Sequence, residues 1–293
     1  MKQESLFVTS ENHKLHVRHI FKKQGGTPIL MLHGTIENGK IFYTESGKGL
    51  ACYLAQQGFD VYVPDFRGKG QSTPTLQETT AHGQHEMIID DVPNLVKFVA
   101  EKTGQPMHVI CHSWGGVIFC SSFARFPLMQ KHIGKLVCFG TKRSLFRKTF
   151  NKFWKVDLLF NRIAPFLAKR KGYIDAVKLK FGADNETRRF LHQCTYWVKP
   201  NPWHDPEDKF DYGQAAKQTV WPSTWHLTGL KDDLLGHIDD VKAFVEETKP
   251  DAKVSLLSKR AGNLKDYDHI NILTDAQAVN DHFPAVLAWL NDH

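Results

Sequence analysis

Four short apolar runs constrain this chain more than any other feature. Residues 28–32 (PILML), 59–64 (FDVYVP), 107–111 (MHVIC) and 133–139 (IGKLVCF) have the length of strands and are dominated by apolar side chains. Such a run is a strand buried on both faces. The stretches between them have helical spacing. Leu50, Tyr53 and Leu54 lie in 49–57, and apolar residues recur at 88, 89, 92, 95, 96 and 99 in 86–103. Gly58 and Gly104 close these two helices, and Pro93 kinks the second or marks its effective start. A third helix is expected over 115–125. Strand and helix in alternation predict an α/β protein, a parallel sheet covered on both faces. Two strands, 6–10 and 15–21, precede the first run, and the second alternates like a half-exposed antiparallel edge. The pattern resumes with strand 223–228, helix 239–248, strand 253–258 and a closing helix over 278–291, with Pro284 in its first half.

Between the two parts the chain changes character. Residues 141–217 are basic and aromatic, much of the segment has helical spacing, and no run has the look of a buried strand. It reads as a helical cap, 141–217, inserted between core segments 1–140 and 218–293. Residues 141–180 hold twelve Lys and Arg against Asp157 and Asp175, a local charge of +10 in a chain of net +7. Contact with an anionic membrane is one reading of that surface, and a solvated helical face is the blander one. No nucleic-acid motif accompanies it, so no nucleic-acid partner is expected. The five cysteines are scattered without a C-x-x-C pair, which disfavours a disulfide framework or zinc site and suits a reducing cytoplasm. The first residues lack the basic-then-apolar pattern of a signal peptide, and no run approaches the ~18–20 residues of a membrane span.

In an open parallel sheet, ligands bind beyond the carboxyl ends of the strands. Four of those ends carry chemistry here. His33-Gly34-Thr35 follows the first apolar run, and Ser113 follows the third. Gly229-Leu230-Lys231-Asp232-Asp233 follows strand 223–228, and the loop after the last strand holds Asp266, Asp268 and His269. Strand, sharp turn with serine, then helix is the layout of a nucleophile elbow. The match is C-x-S-x-G: Gly115 supplies one small neighbour, and Cys111 stands where the pattern has glycine. Taken alone, that leaves an inert serine in a buried turn as the alternative. A serine hydroxyl needs a base, histidine can take and return its proton, and a carboxylate fixes the imidazole tautomer. Ser113, Asp232 and His269 stand in the chain order used by G-x-S-x-G hydrolases. Asp233 competes with Asp232 and reads equally as a helix cap. Main-chain amides of Thr35 and Trp114 are the candidate oxyanion donors. The Trp114 indole either walls a pocket or packs beneath the cap. The loop 65–72 is expected to be braced by Asp65 and Arg67.

The motifs HGT (33–35), DFRGKGQS (65–72), CHSWGG (111–116), the Gly-x-x-Asp turn (229–232) and the late His269 together resemble the α/β-hydrolases. Residues 86–116 are similar to the lysosomal acid lipase-like branch and its bacterial esterase relatives. The resemblance implies an eight-stranded, mostly parallel sheet, a Ser–His–Asp triad and no cofactor or metal. Two departures stand out: Cys111 in the elbow, and Asp268 before the histidine, where glycine is common and where a carboxylate would lie near His269. The expectation is a serine hydrolase acting on a small-molecule carboxylic ester. The same triad on a thioester, lactone or carbon–carbon bond is the second reading, and a non-catalytic ligand-binding protein is the third. Glycine in place of Cys111 is expected to be tolerated in activity.

Overall fold

The computed structural model describes residues 1–145 and 171–292. In chain order the core elements are β1 (Lys2–Thr9), β2 (Lys14–Phe21), β3 (Pro28–Leu32), α1 (Leu50–Gln56) and β4 (Asp60–Pro64). Then come α2 (Val92–Thr103), β5 (Met107–His112), α3 (Trp114–Arg125) and β6 (Ile133–Phe139). The chain next leaves the sheet. A two-residue ribbon, β7 (Tyr173–Ile174) with β8 (Glu186–Thr187), is followed by α4 (Arg188–Val198) and α5 (Tyr212–Gln218). It returns with β9 (Ser223–Gly229), α6 (Ile238–Glu247), β10 (Lys253–Leu257) and α7 (Phe283–Asn291).

Eight strands form one sheet in the order β1-β2-β4-β3-β5-β6-β9-β10. The pairings from β4 across to β10 in that order are all parallel, and β2 alone runs against the others, antiparallel to both β1 and β4. The expected α/β architecture is therefore the one observed. Every residue of β3 and β4 is buried, as strands covered on both faces must be. One apolar layer packs α2 and α3 on the sheet, through Leu95, Val96, Val117, Phe119 and Phe123. The other packs α1 and α7 on the opposite face, through Leu50, Leu54, Phe283, Val286 and Leu290.

Several expectations change. β2 is not an edge: it lies between β1 and β4, and only Lys14 on it is exposed. Its alternation misleads because His16 and His19 are buried beside Asp65 and Asp60. Pro93 marks a start rather than a kink, since it occupies the first turn of α2, after a π-type turn over Met87–Asp91. Pro284 likewise sits in the first turn of α7, where a missing N–H costs nothing. Asp65 and Arg67 do brace their loop, but with other partners. Asp65 accepts from His16 Nδ1 (2.9 Å), the Gly39 amide (2.8 Å) and the Gln71 amide (3.0 Å). Arg67 reaches Asp91 on the approach to α2, its Nε lying 2.7 Å from Oδ1.

The segment after β6 docks through aromatic packing. Trp197 of α4 is fully buried, with Trp203 and Tyr212 edge-on at 6.2 and 5.4 Å. Its indole N–H donates to the His204 carbonyl at 2.7 Å. Phe146, Phe150, Phe153, Trp154, Phe160 and Phe166, and most of the basic stretch 141–180, lie outside the described residues. Among the described residues no helix is long and apolar enough to cross a membrane.

Candidate active site

The site begins with the turn at the end of β5. Ser113 has φ +53° and ψ −128°, a left-handed backbone that a side chain adopts only under constraint. The constraint is visible. The Ser113 amide donates to the Phe139 carbonyl at 2.8 Å, and the Thr141 hydroxyl donates to the Ser113 carbonyl at 3.0 Å. The next turn of backbone presses on the neighbouring strand end. A Cβ at Gly115 would stand 2.3 Å from the His33 carbonyl oxygen, so only glycine permits that approach.

The loop after β10 brings His269 over this serine. His269 Nε2 lies 2.9 Å from Ser113 Oγ, and Nδ1 lies 2.6 Å from Asp232 Oδ2. Asp232 is 4 % exposed, and its other oxygen accepts the Leu235 and Gly236 amides at 3.1 and 2.8 Å. Burial alone would raise the Asp232 carboxyl. The charge of His269, its hydrogen bond and the Gly236 amide together hold it below the ordinary carboxylate range. Asp233 is exposed, and the helix it was expected to cap begins later, capped by His237. Gly140 (φ +58°) turns away beneath the ring, and a Cβ there would meet His269 at 2.9 Å.

Thr35 lies in the loop after β3, and Trp114, directly after Ser113, opens α3. The Trp114 indole packs inward: it donates to Gln84 Oε1 at 3.0 Å, with the Trp197 ring 6.5 Å away. Asp268 does not add a carboxylate to the imidazole. It accepts the amides of Ile270 and Asn271 at 3.0 and 2.8 Å, which turns the loop just after His269.

Cys111 is fully buried, paired in register with Cys138 on β6, and burial raises its thiol well above the ordinary range. Cys111→Gly therefore empties packed space rather than relieving a crowded turn. The expected cost is about 1–3 kcal/mol in urea unfolding, with kcat of the folded variant within about threefold of the parent.

Two buried residues, Glu37 and His112, escape sequence reading. Glu37 Oε2 accepts the Gly34 amide at 2.9 Å and meets His112 Nδ1 at 2.8 Å. His112 Nε2 in turn lies 2.9 Å from the His269 carbonyl. His33, at the end of β3, accepts the Phe66 amide on Nε2 at 3.1 Å, and burial lowers its pKa. Among the described residues two groups have the composition of metal ligands, His13 with Asp90 and Asp91, and His85 with Asp205 and Asp208. In each an arginine, Arg67 or Arg125, already supplies the positive charge.

A sequence profile of the alpha/beta hydrolase fold matches residues 27–219. Human lysosomal acid lipase/cholesteryl ester hydrolase is 27 % identical over 154 residues, which cover 50 % of this chain and 39 % of the lipase. Human gastric triacylglycerol lipase is 30 % identical over 146 residues, covering 45 % and 37 %. The chain thus spans about two fifths of the length of these relatives. A soluble variant of the Saccharomyces cerevisiae monoglyceride lipase superposes with a TM-score of 0.70 at 17 % identity, over 99 % of this chain and 96 % of that one. A Bacillus subtilis carboxylesterase gives 0.60 at 15 %, over 99 % and 92 %. At such identities the likeness is one of fold. The profile match covers more than half of the chain, and the protein belongs to the α/β-hydrolase superfamily.

Proposed function

We propose that the protein is a serine hydrolase cleaving a carboxylic ester of a small molecule. The observation that carries this is the hydrogen-bonded line Ser113 Oγ, His269 Nε2, His269 Nδ1, Asp232 Oδ2, with steps of 2.9 and 2.6 Å. Ser113 attacks the acyl carbon while His269 takes its proton. Asp232 fixes the Nδ1–H tautomer and stabilises the imidazolium. The amides of Thr35 and Trp114 receive the developing oxyanion. His269 then returns the proton to the leaving alcohol, and water attacks the acyl-enzyme by the same route in reverse. The lipase and esterase names among its relatives support an ester over other bonds. Residues 141–217 serve as a cap over the sheet between core segments 1–140 and 218–293. Five buried free cysteines accord with a cytoplasmic location.

A panel of p-nitrophenyl esters from acetate to palmitate, set beside an acyl thioester and a lactone, tests the bond type. Ester turnover at least about tenfold faster than the others is expected. Preferential thioester or lactone turnover would move the assignment to that bond. No turnover of any, with tight binding of a hydrolysis product, would favour the ligand-binding reading.

A further inference from the structure

His112 sits between the nucleophile and two other parts of the site, and both of its ring nitrogens face acceptors. Nδ1 meets the Glu37 carboxylate at 2.8 Å, and Nε2 meets the His269 main-chain carbonyl at 2.9 Å. A carbonyl oxygen only accepts, so Nε2 carries a proton. The same Glu37 oxygen also takes the Gly34 amide at 2.9 Å, which favours its carboxylate form and leaves the second proton on Nδ1. His112 is 0 % exposed, so no water substitutes for either partner.

We propose that His112 is held as an imidazolium by Glu37, and that this buried pair is a positioning unit that ties the oxyanion loop to the loop carrying His269. One end fixes Gly34, next to the proposed donor Thr35. The other end fixes the main chain of His269 itself. The rings of His112 and His269 are 4.8 Å apart. A lone positive charge so close would oppose protonation of His269, and the Glu37 carboxylate offsets it. The unit thus gives geometry at little electrostatic cost to the proton transfer. A buried charge pair survives only with such complete satisfaction.

The charged and titratable groups around the pair are few. Glu37 faces His112 from the loop after β3, Asp232 from the loop after β9 and His269 from the loop after β10. His33 faces Glu37. Burial pulls the His112 pKa down, and the Glu37 charge and hydrogen bond overcome it, leaving it above the ordinary histidine value. Burial likewise pushes the Glu37 carboxyl up, and His112, together with His269 and the Gly34 amide, more than reverses this. The cation is complete below the ordinary histidine range and is lost only as pH rises through the raised value. The carboxylate is complete above the ordinary range and is lost only as pH falls through the lowered one. Both directions favour the charged pair over the neutral one.

The kinetic part rests on the hydrolase reading, and the spectroscopic part does not. Protein labelled with 15N-histidine is compared with Glu37→Gln and Glu37→Asp, with His112→Gln giving the assignment. From pH 6 to 8 both His112 ring nitrogens are expected in the protonated shift range. In Glu37→Gln one moves to the unprotonated range, and the downfield His269 Nδ1 proton shifts or broadens. A neutral His112 in the parent protein, or an unmoved His269 proton in Glu37→Gln, overturns the proposal whether or not any ester is cleaved. On the best p-nitrophenyl ester, Glu37→Gln is expected to lower kcat about 10–100-fold with KM within about threefold, since a small misplacement of reacting groups costs that much. Glu37→Asp recovers part of the loss. Unchanged kcat in folded Glu37→Gln contradicts the positioning role. If that variant does not fold, His112→Gln carries the same kinetic expectation and the same contradiction.

Discussion

Ser113→Ala is expected to lower p-nitrophenyl ester hydrolysis by at least about 10⁴-fold in kcat/KM, with a thermal unfolding midpoint close to that of the parent. The size follows from the role. Without Oγ no acyl-enzyme forms, and what remains is catalysis by the oxyanion donors and by binding. The small effect on folding follows from the backbone. Ser113 holds φ +53° because its own amide and carbonyl are tied to Phe139 and Thr141, and alanine leaves both bonds in place. Retained activity would remove Ser113 from the mechanism, and a collapsed unfolding midpoint would show that the side chain supports the turn.

Asp232→Asn is expected to cost about 10³–10⁴ in kcat, with KM changed much less. The amide can present N–H toward His269 Nδ1 and stabilise the tautomer whose proton sits on Nε2, facing Ser113. That imidazole cannot accept the serine proton. The substitution also removes a charge whose pKa is lowered in the folded protein. The sign of the linkage follows directly. A depressed carboxyl contributes stability above its unfolded pKa, near ~3.9, and that contribution fades as pH falls through the folded value. The parent therefore has this contribution in full at neutral pH, where Asp232→Asn lacks it. Equilibrium unfolding at pH 7 and at pH 3 checks this: the gap in stability between the two proteins is expected to narrow at the lower pH. Asp233→Asn, on an exposed neighbour, is expected to leave kcat within about twofold.

The sequence carries the fold where the signal is local. Runs such as 28–32 announce buried strands because every residue of β3 meets apolar layers on both sides. Helical spacing in 86–103 survives because Leu95, Val96 and Val99 face one core. Ser113 and Asp232 are legible for the same reason, each lying just beyond a strand with a clear boundary, whereas His269 lies deep in the loop after β10. Interactions between distant parts of the chain leave no such trace. Glu37 and His112 are 75 residues apart, and nothing near either one indicates the other. Lys69 and Glu186 form a buried ion pair at 2.8 Å, joining the 65–72 loop to β8, yet each reads as a surface charge. Arg67 sits two residues from Asp65 and was the natural partner, but the chain turns it toward Asp91. β2 reads as half exposed because apolar residues alternate with polar ones, but His16 and His19 are buried against Asp65 and Asp60.

The central claim is that Ser113 is an activated nucleophile, and covalent labelling tests it most directly. Folded protein is treated with an alkyl fluorophosphonate at neutral pH, and the adduct is located by intact mass and peptide mapping. One adduct per chain on Ser113 is expected, absent in Ser113→Ala and slowed at least about 10²-fold in His269→Ala, which lacks the base. An unlabelled Ser113, or an adduct on another residue, in protein that still hydrolyses esters would contradict the assignment.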